Sequence, residues 1–194
     1  MKRKTNQFPL LCISVAILFV VNGCASLSKD QCLEANWKSL GLSDGKMGYK
    51  NDRVEKHNSA CKEFNISVNE GEYAKGWWQG INKYCVPSNG YLLGERIEPY
   101  NDVCSGYLES GFLTGYVEGL ETASRNVSWA YRQEKDEYSL YYRKIDHVTD
   151  EKQREALKKK IDEHKKKVEI LEEKIKQIQQ FQSEARVRQL SSGL

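Results

Sequence analysis

The chain lacks a hydrophobic run long enough to cross a membrane. Its longest mainly apolar stretch, residues 10–21, is about a dozen residues long, whereas a membrane-spanning helix needs roughly 20. Three basic residues at 2–4 precede this stretch, and the box Val-Asn-Gly-Cys at 21–24 follows it. This order predicts a bacterial lipoprotein signal peptide over residues 1–23, cleaved before Cys24. Lipidation of Cys24 would then attach the mature chain to a membrane; a retained transmembrane anchor is the alternative.

The mature chain also lacks an excess of charge of either sign. The full sequence has 30 basic and 27 acidic residues. Three of the basic residues lie in the predicted signal peptide, so the remainder carries 27 of each sign. Nucleic-acid-binding proteins present a clustered basic face, and we therefore expect no nucleic-acid partner.

Signatures of catalysis are missing as well. The chain contains no phosphate loop, dinucleotide fingerprint, H-E-x-x-H or G-x-S-x-G motif. Only three histidines occur: His57 lies in the charged run RVEKHN and is interpreted as solvated, and His147 and His164 fall in the C-terminal region. We therefore expect no enzymatic activity, no catalytic residues, no cofactor and no metal.

The predicted signal peptide places the chain in an oxidising compartment, where cysteines form disulfides. Beyond Cys12 in the signal peptide and Cys24, four cysteines remain, an even number that favours two disulfides with three possible pairings. Sequential pairing would close loops of about 30 and 20 residues, each worth roughly 3 kcal/mol in loop entropy. The spacing lacks the C-x-x-C pairs of zinc sites. The four are Cys32, Cys61, Cys85 and Cys104.

Two imperfect copies of one unit lie between the first and last of these cysteines. Trp37 begins the first copy, and the pair Trp77-Trp78 begins the second. Each copy then has a dipeptide typical of turns, Asp44-Gly45 or Asn89-Gly90, a further Gly and a closing Cys. Since Gly supplies positive φ and Asp or Asn bonds its own backbone, both dipeptides are predicted to form turns.

Two helices are predicted in this region, one capped by Ser67 and one after Cys104. Both contain glycines four residues apart, although each Gly inside a helix costs roughly 1 kcal/mol relative to Ala. This cost indicates that other backbone approaches the helices closely. The glycines are Gly76, Gly80, Gly111, Gly115 and Gly119.

A long helical region follows, with neither Gly nor Pro between positions 119 and 193. Two series of residues in it have coiled-coil spacing and are out of register with each other. We favour one continuous helix with a stutter near residue 150, because no Gly or Pro marks a turn; the alternative is a hairpin in which Thr149-Asp150 caps a second helix. The series are Val127, Tyr131, Glu134, Tyr138, Tyr141, Ile145 and Val148, then Leu157, Ile161, His164, Val168, Leu171, Ile175 and Ile178.

The aromatic side chains of the cysteine-rich segment are the candidate binding residues. Adjacent Trp77 and Trp78 cannot both face the core side of one helix, so one of them is free to stack on a sugar ring or a partner protein. The competing interpretation is that a small domain uses its aromatic side chains to build a core. The candidates are Trp37, Trp77, Trp78, Tyr84 and Tyr91.

The cysteines, the aromatic residues and the spaced glycines form one recognisable set over about residues 24–120. Its members are Cys32, Trp37, Gly41, Asp44, Gly45, Gly48, Cys61, Tyr73, Gly76, Gly80, Tyr84, Cys85, Gly90, Gly94 and Cys104. In this set the chain resembles the bacterial lipoprotein family known as domain of unknown function 2799. Asn36 stands where relatives are expected to have an acidic residue. The resemblance implies a lipoprotein of Gram-negative cells and implies no activity.

The sequence therefore predicts a mainly α protein. A small two-disulfide helical domain over 24–121 precedes a long charged, coiled-coil-like helix or helical hairpin over 122–190. Lipid at Cys24 is expected to hold the protein on the periplasmic side of the outer membrane, since the next residue is Ala25 rather than the Asp that retains lipoproteins in the inner membrane. The expected function is structural or protein-interacting, with the C-terminal helix recruiting a second copy or another envelope protein. Binding of peptidoglycan or another envelope glycan is the alternative.

Overall fold

The computed structural model describes residues 27–191, which fold into seven α-helices without a strand among them. The predicted mainly α class is confirmed. No helix in this range is long and apolar enough to span a membrane. The predicted signal peptide and Cys24 lie outside the described residues. The helices are α1 (Lys29–Leu33), α2 (Trp37–Lys46), α3 (Arg53–Lys62), α4 (Glu70–Tyr84), α5 (Pro87–Glu95), α6 (Tyr107–Ile145) and α7 (Glu151–Ser191).

Helices α2 and α4 pack in parallel with their backbones in contact. A Cβ at Gly41 would overlap the carbonyl oxygen of Tyr73, and a Cβ at Gly45 would overlap that of Trp77, one turn further along α4. In return, a Cβ at Gly76 would overlap the carbonyl oxygen of Lys38. Only Gly permits so close an approach. We call α2 and α4, together with α3, which lies between them in the sequence, the first unit.

Helix α5 and the start of α6 repeat the same contact, as the second unit. Gly90 meets the carbonyl of Phe112, and Gly115 meets that of Pro87. The predicted duplication is therefore real, although its boundaries differ from those expected. Trp77 belongs to the second helix of the first unit and does not begin the second one.

The turn assignment of Asp44-Gly45 and Asn89-Gly90 is wrong, because both dipeptides lie inside helices. Their glycines serve close backbone approach rather than positive φ. The positive φ comes just after each helix, at Gly48 with +71° and at Ile97 with +58°. Each of these residues lies two positions after the last residue of its helix, so α2 and α5 terminate in the same way.

The disulfides pair sequentially, as Cys32–Cys61 and Cys85–Cys104. Each bond joins the segment before the first helix of a unit to the segment before its second helix. The two parallel helices of each unit are thus held together at their N-terminal ends.

Helix α4 begins two residues later than predicted. Its N-cap is Asn69, whose side chain accepts a hydrogen bond from the backbone N–H of Glu72 at 3.0 Å. Asn is as good a cap as the Ser67 predicted from the sequence. The helix predicted after Cys104 is α6.

The long C-terminal region is a hairpin, so the favoured continuous helix is wrong. Helix α6 ends at Ile145, and α7 begins at Glu151. Asp150 accepts a hydrogen bond from the backbone N–H of Gln153 at 2.8 Å, which satisfies a free donor of the new helix. A polar cap alone is sufficient to start α7 after the short connection, without Gly or Pro.

The two predicted series face each other across this hairpin. Tyr131 donates a hydrogen bond to Glu172 at 3.0 Å, and the ring of His164 lies 2.6 Å from Glu134. Most members of both series are half-buried. They form an antiparallel seam within the chain.

The far end of α7 returns to the second unit. Ile178, Phe181 and Ala185 are buried in the same core as α4 and α6. Arg188 forms ion pairs with Asp102 and Glu109, which precede and begin α6. The predicted boundary at 121/122 falls within α6, which runs through it without a break.

Candidate functional site

A buried cluster of polar side chains joins the three helices of the first unit. Asp44 of α2 and His57 of α3 are only 3% and 1% exposed, and Tyr73 of α4 is fully buried. The Tyr73 hydroxyl donates a hydrogen bond to Asp44 Oδ2 at 2.8 Å, and His57 Nε2 lies 2.7 Å from the same oxygen. Because a carboxylate only accepts, the hydrogen bond assigns a proton to Nε2 of His57.

Arg53 supplies the charge that faces this carboxylate. Its Nε lies 3.4 Å from Asp44 Oδ1 and is buried without a hydrogen bond among the described residues, so the contact is an ion pair. The guanidinium also lies over the ring of Tyr49, 3.9 Å from its centroid. Contacts on two sides therefore hold Arg53, and its side chain remains 31% exposed.

The cluster raises the pKa of the Tyr73 hydroxyl well above its ordinary value. Burial is the larger cause, and the hydrogen bond to Asp44 adds to it. Tyr73 therefore remains a neutral donor over the physiological range of pH. The Asp44 carboxylate gains two donors and one cation, which offset the cost of burying its charge.

Arg53 lines a cavity of about 270 Å³. The cavity lies at the junction of the two units, because Asn101 comes from the loop of the second unit. Three of its six lining residues are basic and one is acidic. The lining residues are Tyr49, Lys50, Asp52, Arg53, Lys56 and Asn101.

The cavity wall is connected directly to the core of the first unit. The indole N–H of Trp77 donates a hydrogen bond to the carbonyl oxygen of Tyr49 at 2.7 Å. Trp77 itself is buried against α2. A shift of Tyr49 at the cavity wall therefore changes the hydrogen bond of the Trp77 indole.

The second unit has apolar residues where the first has its polar cluster. Leu93 lies in α5 between the two contact glycines, as Asp44 does in α2. Phe112 meets Gly90 as Tyr73 meets Gly41. Both Leu93 and Phe112 are buried. The helix pair of a unit therefore packs without a buried carboxylate, although the second unit has no helix that corresponds to α3.

Carboxylate and imidazole in contact form the arrangement that orients a histidine in acid–base catalysis. Here the imidazole is almost fully buried, so the accessible chemical group of the cluster is the guanidinium of Arg53. Within residues 27–191, no group of three His, Cys, Asp or Glu side chains is placed to hold a metal ion.

The predicted candidate binding residues are spread over several environments. Trp77 and Tyr84 are buried, Trp37 is half-buried, and Trp78 is 51% exposed. Tyr91 lines a shallow cavity of about 500 Å³ on α5 and α6. The structure places Trp77 and Tyr84 in the core and leaves Trp78 accessible on the outer side of α4.

Sequence reasoning missed the polar cluster. The interpretation of His57 as a solvated side chain is wrong, since the ring is buried between α2 and α4. The available signal was the spacing of Arg53 and His57, four residues apart and therefore on one face of α3. Nothing in the charged run identified that face as the buried one.

Comparison with known families supports the resemblance seen in the sequence. Residues 36–121 match the model of a family described as Protein of unknown function (DUF2799). The matched segment contains both units and the whole polar cluster. No curated protein and no solved structure matches the chain.

Proposed function

We infer that this chain, whose residues 36–121 match the DUF2799 family model, is a lipid-anchored cell-envelope protein with a structural or protein-interaction role. The observation that carries the proposal is the pair of disulfides, one in each unit. Disulfides persist in oxidising compartments outside the cytosol. Their presence supports export of the chain, which is what the predicted signal peptide requires.

The position of the first disulfide supports attachment through Cys24. Leu27, three residues further on, is buried against Cys32 and Cys61. Three extended residues reach about 10 Å, so a lipid on Cys24 would hold the N-terminal end of the first unit close to the bilayer. This attachment would leave the rest of the protein facing the periplasm.

The hairpin supports the interaction role through its outer faces. Its seam series are engaged within the chain, so a second copy or another envelope protein would meet other residues. Large apolar side chains are exposed on both helices: Trp129 and Tyr142 on α6, and Ile170 on α7, each more than half exposed. Aromatic residues of this kind are enriched at protein interfaces.

Replacing Cys24 with Ser tests the anchor. The Cys24→Ser variant should move from the membrane pellet to the soluble fraction, because no helix in residues 27–191 can span a membrane. Cys12→Ser, inside the predicted signal peptide, is the matched control and should remain in the pellet. A Cys24→Ser protein that still sediments with membranes would refute lipid attachment.

Substitution of Ala25, the residue after Cys24, tests whether the protein is attached to the outer or to the inner membrane. In an enteric host the native chain, with Ala25, should fractionate with the outer membrane on a density gradient. Ala25→Asp should move it to the inner membrane. Recovery of the native chain in the inner membrane would refute the outer-membrane location.

Glycan binding is a second candidate, favoured by the exposure of Trp78. Its indole is held edge-on against Trp77, with 5.1 Å between ring centroids, and a fixed aromatic face suits stacking on a sugar. Trp78→Ala should reduce co-sedimentation with isolated peptidoglycan, while Trp129→Ala on the hairpin should not. Equal retention of native and Trp78→Ala protein would remove this candidate.

A further inference from the structure

We propose that the cavity lined by Arg53 binds an oxyanion, a carboxylate or phosphate group carried by a hydroxyl-bearing molecule. Arg53 would hold the oxyanion, Lys50 and Lys56 would add charge, and Asp52 and Asn101 would bind hydroxyl groups. This binding site is independent of the lipid anchor and of the partner surfaces on the hairpin.

The first argument is that Arg53 is held in position before any ligand arrives. Asp44 contacts its Nε, and Tyr49 supports one face of the guanidinium plane. A guanidinium offers five N–H donors in a planar fork, which matches the two oxygens of a carboxylate or phosphate. Because the side chain is already held, binding loses little conformational entropy.

The second argument comes from the internal duplication. The first unit buries a carboxylate, an imidazole and a phenol, whereas the second unit, which has no helix between α5 and α6, packs an equivalent helix pair with Leu93 and Phe112. Buried ionic groups are often no more stabilising than apolar residues of similar size. The polar cluster is therefore not needed to pack a helix pair; it attaches α3, which the second unit lacks, and with it Arg53. What it adds is a fixed Arg53 in the wall of an open cavity, which is the arrangement of a binding site.

Side chains, not backbone, would supply the donors. The N–H groups of Arg53, Val54 and Glu55, at the start of α3, already donate to the carbonyl oxygens of residues 50–52. The positive end of the helix still favours a bound anion. Lys56, one turn into α3, is exposed at the cavity.

The lining residues also limit the class of ligand. The cavity of about 270 Å³ accommodates one acidic group with a few neighbouring atoms rather than a large molecule. Asp52 repels a bare multivalent anion but accepts hydrogen bonds from hydroxyl groups, and Asn101 both donates and accepts. A sugar acid or a polyol phosphate fits this combination of charges.

Binding can be measured through the tryptophan indole signals of the full chain in a non-ionic detergent. The chain has four tryptophans. Trp77 contacts the cavity wall through Tyr49, whereas Trp129 lies on the hairpin. Titration with glucuronate or glycerol phosphate should shift the Trp77 ¹H–¹⁵N signal saturably, with Kd below about 10 mM. Trp129 should not shift, and sodium chloride at equal ionic strength should not reproduce the effect.

Two lysines of α3 provide a matched pair of variants. Lys56→Gln at the cavity should weaken binding about fivefold, as expected for the loss of one charge-assisted contact. Lys62→Gln, exposed at the other end of the helix, should bind within twofold of the native chain. Glucuronate and glycerol phosphate are tested separately, so that saturation by either supports the site and identifies its oxyanion.

The proposal is overturned if neither probe gives a saturable Trp77 shift. It is also overturned if sodium chloride alone gives the shift, or if Lys56→Gln and Lys62→Gln bind equally well. Both lysines are exposed, so a loss of binding in one variant only does not arise from misfolding; unchanged indole spectra without ligand confirm this.

Discussion

The two units of the disulfide domain have equivalent helix pairs and equivalent disulfides, but only the first contains a further helix, α3, and the two differ in what fills the space beside the helix contacts. Four glycines make the backbone contacts in each unit: Gly41, Gly45, Gly76 and Gly80 in the first, and Gly90, Gly94, Gly115 and Gly119 in the second. The first unit places Asp44 and Tyr73 beside these contacts, and the second places Leu93 and Phe112. Even the supporting hydrogen bonds correspond: Trp77 donates to a carbonyl after α2, and Tyr116 donates to the carbonyl of Glu98 after α5. The comparison separates what the architecture requires from what only one copy contains.

The hairpin is a third helix pair, packed by a different physical strategy. In the units, backbones touch and almost no side chain lies between them. In the hairpin, long side chains form the seam, including the Glu134–His164 pair and a stacked Tyr141–His164 contact. Backbone contact fixes one geometry and tolerates no added atom, whereas a half-exposed seam tolerates polar residues and local adjustment.

The largest expected effect tests whether the units are packed alike. Gly76→Val in the first unit and Gly115→Val in the second should each destabilise the protein by at least about 3 kcal/mol, because the new side chain collides with backbone that cannot move aside. Thermal unfolding of the two variants measures this. Gly71→Ala, in the exposed first turn of α4, is the control and should leave the melting temperature nearly unchanged. Toleration of valine at either contact glycine would contradict backbone packing in that unit.

The next effect tests the difference between the units. Asp44→Leu should cost about 3 kcal/mol, because His57 and Tyr73 lose their buried acceptor. Tyr73→Phe alone should cost about 1 kcal/mol. The double variant, which reproduces the residue pair of the second unit, should be less destabilised than the sum by at least about 1 kcal/mol. Denaturant unfolding of all four proteins gives this coupling; additive losses would show that Asp44 and Tyr73 do not act together.

A smaller effect distinguishes the hairpin from an intermolecular coil. Leu171→Lys should lower the free energy of unfolding by about 1–2 kcal/mol, since Leu171 is half-buried in the seam. Its neighbour Ile170 is 58% exposed, so Ile170→Lys should have little effect on stability. Sedimentation of both variants completes the test. If Leu171→Lys removed a concentration-dependent dimer without lowering the melting temperature, the seam would be intermolecular.

The seam was predictable from the sequence because a repeat of 3.5 residues defines a helix face without knowledge of its partner. The partner itself was not predictable: α6 and α7 expose the same pattern to each other that two chains would. Close backbone contact was predicted correctly at Gly76 and Gly115. Gly45 and Gly90 were instead predicted to lie in turns, because Gly after Asp or Asn is also typical of turns.

The polar cluster was the least predictable part of the site. A hydrophobic pattern indicates which face of a helix is buried, and α3 buries a face on which Arg53 and His57 lie. Its burial depends on Asp44, which is distant in sequence and was itself assigned to a turn. Buried polar side chains that bond to one another across different helices leave no periodic hydrophobic pattern in the sequence. The presence of two disulfides, in contrast, followed from the cysteine count once export was predicted, although the sequence left three pairings open.

The smallest effect concerns pH and the polar pair of the hairpin. Burial tends to raise the pKa of Glu134, but hydrogen bonds from His164 and Lys167 outweigh it and hold the pKa below its ordinary value of 4.5. A carboxyl group with a lowered folded-state pKa stabilises the protein above its unfolded pKa, and this contribution is lost as pH falls through the folded value.

The stability difference between the native chain and Glu134→Gln should therefore be fully present above about pH 4.5 and shrink as the pH falls below that value. Its size should stay below about 1 kcal/mol, because the pair is partly exposed and screened by solvent. Glu137→Gln, an exposed carboxyl on the same helix, is the matched control and should show a smaller dependence. Denaturant unfolding at several pH values measures both. A Glu134→Gln difference that stays constant down to pH 3 would mean that His164 and Lys167 contact Glu134 without stabilising its charge, and the seam would then depend on its apolar members alone.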